Sequence, residues 1–151
     1  MNSGHWQVKK DFDIADWFGF IYRITELDTG REYLGKKQLF MMRRIVVAGR
    51  KNKKITYRES DWKKYTGSCK DLNEQIKLKG LDNYTFEIVS LHKSKASLYY
   101  AEVRIQVFED VLRVRMENGI RKYYNGQIGA VKFKPPVDLL EEIEYNEKNL
   151  L

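Results

Sequence analysis

Two alternating segments joined by a turn, within residues 19–37, constrain the fold of this chain more than any other feature. Apolar and polar residues alternate around Tyr22, Asp28-Thr29-Gly30 supplies a turn, and Tyr33 lies in the second segment. Alternation of period two on both sides of such a turn predicts a β-hairpin. Two phenols eleven positions apart then lie on paired strands, and Lys36 follows directly. The hairpin therefore places proton-transfer groups beside cations that suit a phosphate.

Composition excludes several classes of protein. At 151 residues, the chain has the length of one domain with a real core. No stretch approaches the ~18 apolar residues of a membrane span, and the N-terminus lacks an apolar signal sequence. One cysteine, Cys69, and two histidines cannot form an internal disulfide or a Cys/His zinc site. We expect a cytoplasmic protein without a membrane segment, in which carboxylates hold any catalytic metal, as suits Mg²⁺ or Mn²⁺.

The net charge of +7 is concentrated in one third of the chain. Residues 31–79 contain 15 Lys/Arg and 5 Asp/Glu, with the aromatic residues Tyr57, Trp62 and Tyr65 among them. A basic region of this kind is typical of nucleic-acid binding, because neutralised phosphates release their counterions. A solvated basic face is the alternative. The predicted nucleic-acid contacts in this region are Lys37, Arg44, Lys51, Lys53, Lys54, Trp62 and Lys63.

The remaining elements follow from periodicity and capping residues. We predict a short helix over 38–44, an exposed loop over 48–54, a helical turn over 60–65 and a strand over 84–91. Ser68 as N-cap and Gly80 as stop bound one helix, and Ser94 caps a longer helix that runs to about Glu117 with Leu112 on its core face. The order β-β-α-α-β-α predicts an α+β fold, with a small three-stranded antiparallel sheet flanked by helices. An N-terminal arm (1–16) precedes this body (17–134), and an acidic tail (135–151) follows it.

The hairpin motifs resemble those of a known family. "FIYRI", an eleven-residue step and "YLGKK" are similar to the two signature strands of the GIY-YIG nuclease superfamily, especially small phage or mobile-element (homing-type) endonucleases. The first triplet departs from the pattern, since it is Phe-Ile-Tyr with the glycine displaced to Gly19. The predicted element order also matches that fold over residues 18–126. "WKKYTGS" resembles a run in a phage-associated branch, which implies that Ser68 lies near the DNA backbone.

The resemblance implies six catalytic positions: Tyr22, Tyr33, Lys36, Arg43, Glu102 and Asn125. Tyr22 would help to deprotonate the attacking water, and Tyr33 would position that water or the phosphate. Glu102, on the long helix, would hold one divalent metal ion.

The other three positions would support these groups. Arg43, on the first helix, and Lys36 would contact phosphate oxygens, and Asn125 would hold the site together. An unperturbed phenol has a pKa near ~10, so Tyr22 needs a nearby cation in order to act as a base.

Several alternatives stay open from the residues alone. Arg44 could replace Arg43, because the phase of the first helix is uncertain. Glu109 is a rival to Glu102, which could also pair with Arg104 or Lys95. Asn125 could simply be a turn residue before Gly126. Many relatives carry a histidine after the helix arginine, and its absence here leaves Tyr22 to act alone or with Lys36.

The leading hypothesis is a metal-dependent endonuclease that acts on DNA, most readily double-stranded DNA. A nucleic-acid-binding protein that has kept the fold and lost turnover is the second hypothesis, and a protein-interaction factor that uses the acidic tail is the third. Oligomeric state, cleavage specificity and the number of strands cut are not determined by the sequence.

Overall fold

The computed structural model describes residues 1–131, and the predicted acidic tail lies outside the described residues. Seven regular elements occur in this range. They are β1 (Gly19–Glu26), β2 (Glu32–Gln38), β3 (Phe40–Ile45), β4 (Lys54–Glu59), α1 (Lys70–Lys79), β5 (Tyr84–His92) and α2 (Lys95–Phe108). Short 3-10 turns lie at Ile14–Asp16, Trp62–Lys64 and Leu81–Asn83.

The central sheet is antiparallel, with the strand order β2-β1-β5. The predicted hairpin is β1–β2, in which Tyr22 pairs with Gly35 and Ile24 pairs with Tyr33. This sheet and its two helices confirm the predicted α+β class. Because β1 is the central strand and apolar on both faces, it separates two hydrophobic clusters. Tyr22 faces the cluster that contains Leu72 of α1, and Ile21 faces the one that contains Ala101 of α2.

The predicted helix over 38–44 is wrong. Residues 40–45 form β3, which pairs antiparallel with β4 in a separate two-stranded sheet. Methionine and arginine are good helix formers, but helix propensity is a weak predictor that tertiary pairing overrides. The β-forming residues Ile55, Thr56 and Tyr57 supply the partner strand, which the sequence reasoning missed.

The helix α1 begins one residue later than predicted, because Cys69 and not Ser68 is its N-cap residue. Ser68 Oγ instead lies 3.2 Å from Tyr33 Oη. The predicted stop is confirmed, since Gly80 ends the helix at a φ of 87°, a conformation that favours glycine.

The long helix is capped as predicted but is shorter. Ser94 Oγ accepts a hydrogen bond from the Ser97 amide at 3.1 Å. The helix ends at Phe108 and not near Glu117, because the chain turns at Asp110, whose φ is 51°. The turn carries Val111 into the core, whereas Leu112 is 41% exposed, contrary to its predicted core position.

The first residues of the chain pack against this body. Trp6 is 3% exposed, and its Nε1 donates to the Trp62 carbonyl at 2.5 Å. Gln7 forms a parallel bridge with Glu87 of β5. Segment 6–8 therefore extends the free edge of β5, while the boundaries at residues 16 and 134 stay predictions.

Candidate active site

Tyr22 crosses the hairpin over its partner residue. A Cβ atom on residue 35 would lie 2.4 Å from Tyr22 Oη and 2.6 Å from Tyr22 Cζ, so only glycine fits beneath the phenol. The ring packs edge-on to Tyr65 and tilted against Trp6. The motif glycine therefore determines where the hydroxyl of Tyr22 lies.

The surroundings of Tyr22 keep its phenol protonated. The residue is 1% exposed, and burial raises its pKa well above the usual value near ~10. Nearby Tyr33, Tyr65 and Glu102 raise the pKa further, since each disfavours a second negative charge. The hydrogen bond with Tyr65 acts in the same direction because it retains the phenolic proton.

Tyr33 lies on the same face of the hairpin and is more accessible. Its ring centroid is 6.2 Å from that of Tyr22, and its ring contacts the backbone position of Gly67. Burial also raises the pKa of Tyr33, and the hydrogen bond with exposed Ser68 offsets part of this rise. The sheet and the 65–69 segment thus bring the two motif tyrosines together.

Glu102 pairs with a cation from the hairpin. Lys36 Nζ lies 2.5 Å from Glu102 Oε1, and it also lies 4.2 Å from the ring centroid of Tyr99. Glu102 interacts electrostatically with both Tyr22 and Tyr33. The helix α2 therefore places this carboxylate in contact with Lys36 and within electrostatic range of both motif tyrosines.

Glu109, the rival acid, is engaged elsewhere. Its Oε1 accepts from Arg23 at 2.9 Å, and its Oε2 accepts from Tyr123. Both carboxylate oxygens of Glu109 are therefore engaged near the turn end of the β1–β2 hairpin, where Glu32 also pairs with Arg23. This arrangement favours Glu102 as the acid available to a ligand.

Asn125 acts on the backbone of β2. Its Oδ1 accepts from the Leu34 amide at 3.0 Å, and its Nδ2 donates to the Leu34 carbonyl at 2.7 Å. Gln106 of α2 donates to the same carbonyl at 3.0 Å. The two hydrogen bonds of Asn125 thus hold the backbone of β2 at Leu34, between Tyr33 and Gly35.

The sequence reasoning missed three residues of this cluster: Tyr65, Tyr99 and Gln106. The two helical residues could have been found, because Tyr99 and Gln106 lie three and four positions from Glu102 and share its side of α2. Tyr65 gave no comparable signal, since its contact with Tyr22 depends on how distant segments pack.

The remaining basic candidates divide into two groups. Lys37 and Lys63 are held by carboxylates, at 2.6 Å from Asp61 and 3.4 Å from Glu59. The others are exposed on or between β3 and β4, and they form no ion pair within residues 1–131: Arg43, Arg44, Lys51, Lys53 and Lys54.

Arg43 and Trp62 lie in unexpected places. Arg43 is on a strand of the separate sheet, paired with Thr56, and not on a helix. Trp62 is 0% exposed and packs in the core beside Phe20, so it has no free surface with which to contact a nucleic acid. Its Nε1 donates to Glu59 at 2.8 Å, and the structure therefore gives it a packing role.

Glu102 is the carboxylate of this cluster that could hold a divalent ion. Within residues 1–131, no three His, Cys, Asp or Glu side chains are grouped to hold a metal. Mg²⁺ is commonly bound by one or two carboxylates together with water and substrate phosphates. The cluster fits an ion that shares its ligands with a substrate, and it does not fit a closed protein cage.

Comparison with known proteins identifies a family with the same domain. A family model described as "Putative endonuclease segE, GIY-YIG domain" matches residues 5–128, which is most of the chain. No curated protein and no solved structure matches the chain. Within residues 1–131, no helix is long and apolar enough to span a membrane.

Proposed function

This chain belongs to the SegE GIY-YIG domain family, and from that premise we propose that it is a DNA endonuclease that hydrolyses phosphodiester bonds with Mg²⁺ or Mn²⁺. One observation carries the proposal: Lys36 of β2 pairs with Glu102 of α2, and the Glu102 carboxylate interacts electrostatically with the phenols of Tyr22 and Tyr33. Hydrolysis of a phosphodiester needs groups that orient water, neutralise phosphate charge and bind a cation. This cluster contains all three kinds of group.

Duplex DNA is the substrate that the charge distribution supports. The 15 Lys/Arg of residues 31–79 include the exposed group on and between β3 and β4, which begins two residues after β2. Unpaired cations of this kind bind the phosphates of any sequence. Arg43 belongs to this group, and its proposed role is therefore a phosphate contact from the DNA-binding side.

Glu102 would hold the divalent ion, with the phosphate and water completing the coordination. Bound there, the ion would supply positive charge to the phosphate oxygens. Lys36 neutralises Glu102 in the protein alone. With an ion held by Glu102, the ammonium of Lys36 would be available to contact a phosphate oxygen.

The tyrosines would orient the attacking water. Tyr22 keeps its proton in the hydrogen bond with Tyr65, so its oxygen lone pairs remain available to accept from a water molecule. Tyr33 and Ser68, hydroxyl to hydroxyl, would donate to a phosphate oxygen on the accessible side. Asn125 would act as a positioning residue by holding Leu34 between these groups.

The test is conversion of supercoiled plasmid with and without Mg²⁺. Glu102→Gln should abolish cleavage and leave DNA affinity within a few-fold, because it removes the ion's only carboxylate in the cluster. The matched control is Glu117→Gln, which makes the same change at an exposed position. Cleavage retained in Glu102→Gln, or absent in the wild type, would refute the proposal.

The second candidate, a binding protein without turnover, is favoured by the cation that already occupies Glu102. It predicts DNA binding without cleavage in both Mg²⁺ and Mn²⁺. The assignment to a phage or homing type stays a prediction, which mapping of the cleaved positions addresses.

A further inference from the structure

The β3–β4 hairpin, called the ribbon below (residues 40–59), stands apart from the central sheet. Its strands pair only with each other within the described residues. Large apolar side chains remain exposed on it, including Tyr57 at 70% and Met42 at 52%. A two-stranded hairpin with so little burial is marginally stable on its own. The ribbon therefore has the form of an element that is completed by a partner.

The charge of the ribbon identifies the kind of partner. Residues 40–59 contain seven Lys/Arg and a single acid, Glu59. That acid is already engaged by Trp62 and Lys63. An excess of cations along both strands and the turn is complementary to a polyanion.

The strand register separates two faces of the ribbon. Arg43 pairs with Thr56 and Met41 pairs with Arg58, so these four side chains form one face. Arg44 belongs to the opposite face, with Met42 and Tyr57.

The first face continues toward the candidate active site. Met41 and Arg58 line a cleft of about 640 Å³ that also includes Lys37 of β2. Lys37 adjoins Lys36 and lies 3.9 Å from the ring centroid of Tyr65, the hydrogen-bond partner of Tyr22. A duplex held on this face would therefore lie beside the catalytic cluster.

We propose that the ribbon enters the major groove of duplex DNA, with the face of Met41, Arg43, Thr56 and Arg58 directed at the base edges. This inference rests on the proposed function and adds sequence readout to it. Six residues per strand extend ~20 Å, and the major groove, ~12 Å wide, admits a two-stranded ribbon. Arginine pairs with guanine through two hydrogen bonds, threonine bonds to several bases, and an apolar side chain can contact the thymine methyl group. Lys51, Lys53 and Arg44 then contact phosphates.

Binding-site selection tests the proposal without relying on cleavage. The full chain carrying Glu102→Gln is used to enrich a randomised duplex pool in the presence of Mg²⁺. We expect a short guanine-containing preference. In the same background, Arg58→Ala should relax one or two adjacent positions by about 5- to 100-fold, with a smaller change at the others.

Arg44→Ala is the matched control, because it removes the same side chain from the opposite face of the same ribbon. It should weaken binding to all sequences alike and reduce the salt dependence. Methylation of guanine N7, which lies in the major groove, should interfere with wild-type binding. Arg44 and Arg58 are both exposed, so neither substitution should unfold the chain, and thermal unfolding of each variant verifies this.

Three outcomes would overturn the proposal: a pool without any preference, a preference unchanged in both Arg43→Ala and Arg58→Ala, or binding that is indifferent to N7 methylation. Failure of the proposed function is a separate result. If the chain selects a DNA sequence through Arg58 and never cuts plasmid, the ribbon proposal stands and the proposed endonuclease function is refuted. If the chain cuts plasmid and the ribbon substitutions change neither binding nor sequence preference, the endonuclease function stands and the ribbon proposal is refuted.

Discussion

Replacing Gly35 with alanine should displace Tyr22 from the site. The added Cβ would meet Tyr22 Oη at 2.4 Å and Cζ at 2.6 Å, both far inside van der Waals contact. The phenol has no room to retreat, because it is 1% exposed and packed against Trp6, Tyr33 and Tyr65. Overpacking of this kind costs about 1–3 kcal/mol. For a chain of this length, that loss lowers Tm by roughly 3–10 °C.

The assay combines thermal unfolding with plasmid cleavage. Gly129→Ala is the control, since its Cβ would meet nothing within 4 Å and its φ does not require glycine. Adding Tyr22→Phe to Gly35→Ala removes the atom in the closest contact, so the double variant should regain part of the stability and none of the cleavage. A Gly35→Ala variant with unchanged Tm and cleavage would refute the argument that glycine determines the position of the phenol.

Three further predictions concern the support of the site. Asn125→Leu removes both side-chain hydrogen bonds to the buried Leu34 backbone. It should lower the free energy of unfolding, measured by urea titration, by about 2–4 kcal/mol. The control Asn52→Leu, at an exposed position, should change this free energy by less than about 0.5 kcal/mol. Burial alone would raise the pKa of Glu26, but hydrogen bonds from Thr29, Tyr84 and Tyr124 outweigh it and lower this pKa. The ionised Glu26 side chain therefore stabilises the folded state above its unfolded pKa of ~4.3, and this stabilisation is lost as the pH falls. The Glu26→Gln variant should be less stable than the wild type at pH 7 and should lose less stability than the wild type on acidification. The raised pKa of Tyr22 has the opposite sign, so the stabilisation that it contributes is present below pH ~10 and lost at higher pH. Tyr22→Phe should therefore flatten the alkaline loss of stability. It should also reduce cleavage by about 10²-fold, because the attacking water loses a group that orients it, and Tyr33→Phe should reduce cleavage less. Equal, small effects of the two tyrosine substitutions would mean that both residues only pack.

Local signals in the sequence were enough where neighbouring residues make the structure. The β1–β2 hairpin, the cap at Ser94 and the stop at Gly80 all depend on residues within a few positions of one another. The same is true of the motif spacing that identified the nuclease superfamily, which the family match over residues 5–128 confirms.

Distant pairing decided what the sequence predicted wrongly. The segment 40–45 has helix-forming residues, and it is a strand because β4, nine residues further along, satisfies its backbone. Likewise, α2 ends at Phe108 because burying Val111 requires a turn at Asp110, although the apolar spacing continues to Leu112.

The candidate site shows the same division. The sequence by itself selected the candidate residues, because Tyr22 and Tyr33 stand in recognisable motifs and Glu102 lies on a helix of clear periodicity. Only the tertiary structure decided their partners: Lys36 faces Glu102, Asn125 clamps Leu34, and Tyr65 holds the Tyr22 proton. Motifs depend on spacing along one chain, whereas charge pairing and pKa depend on which distant side chains share the same low-dielectric space.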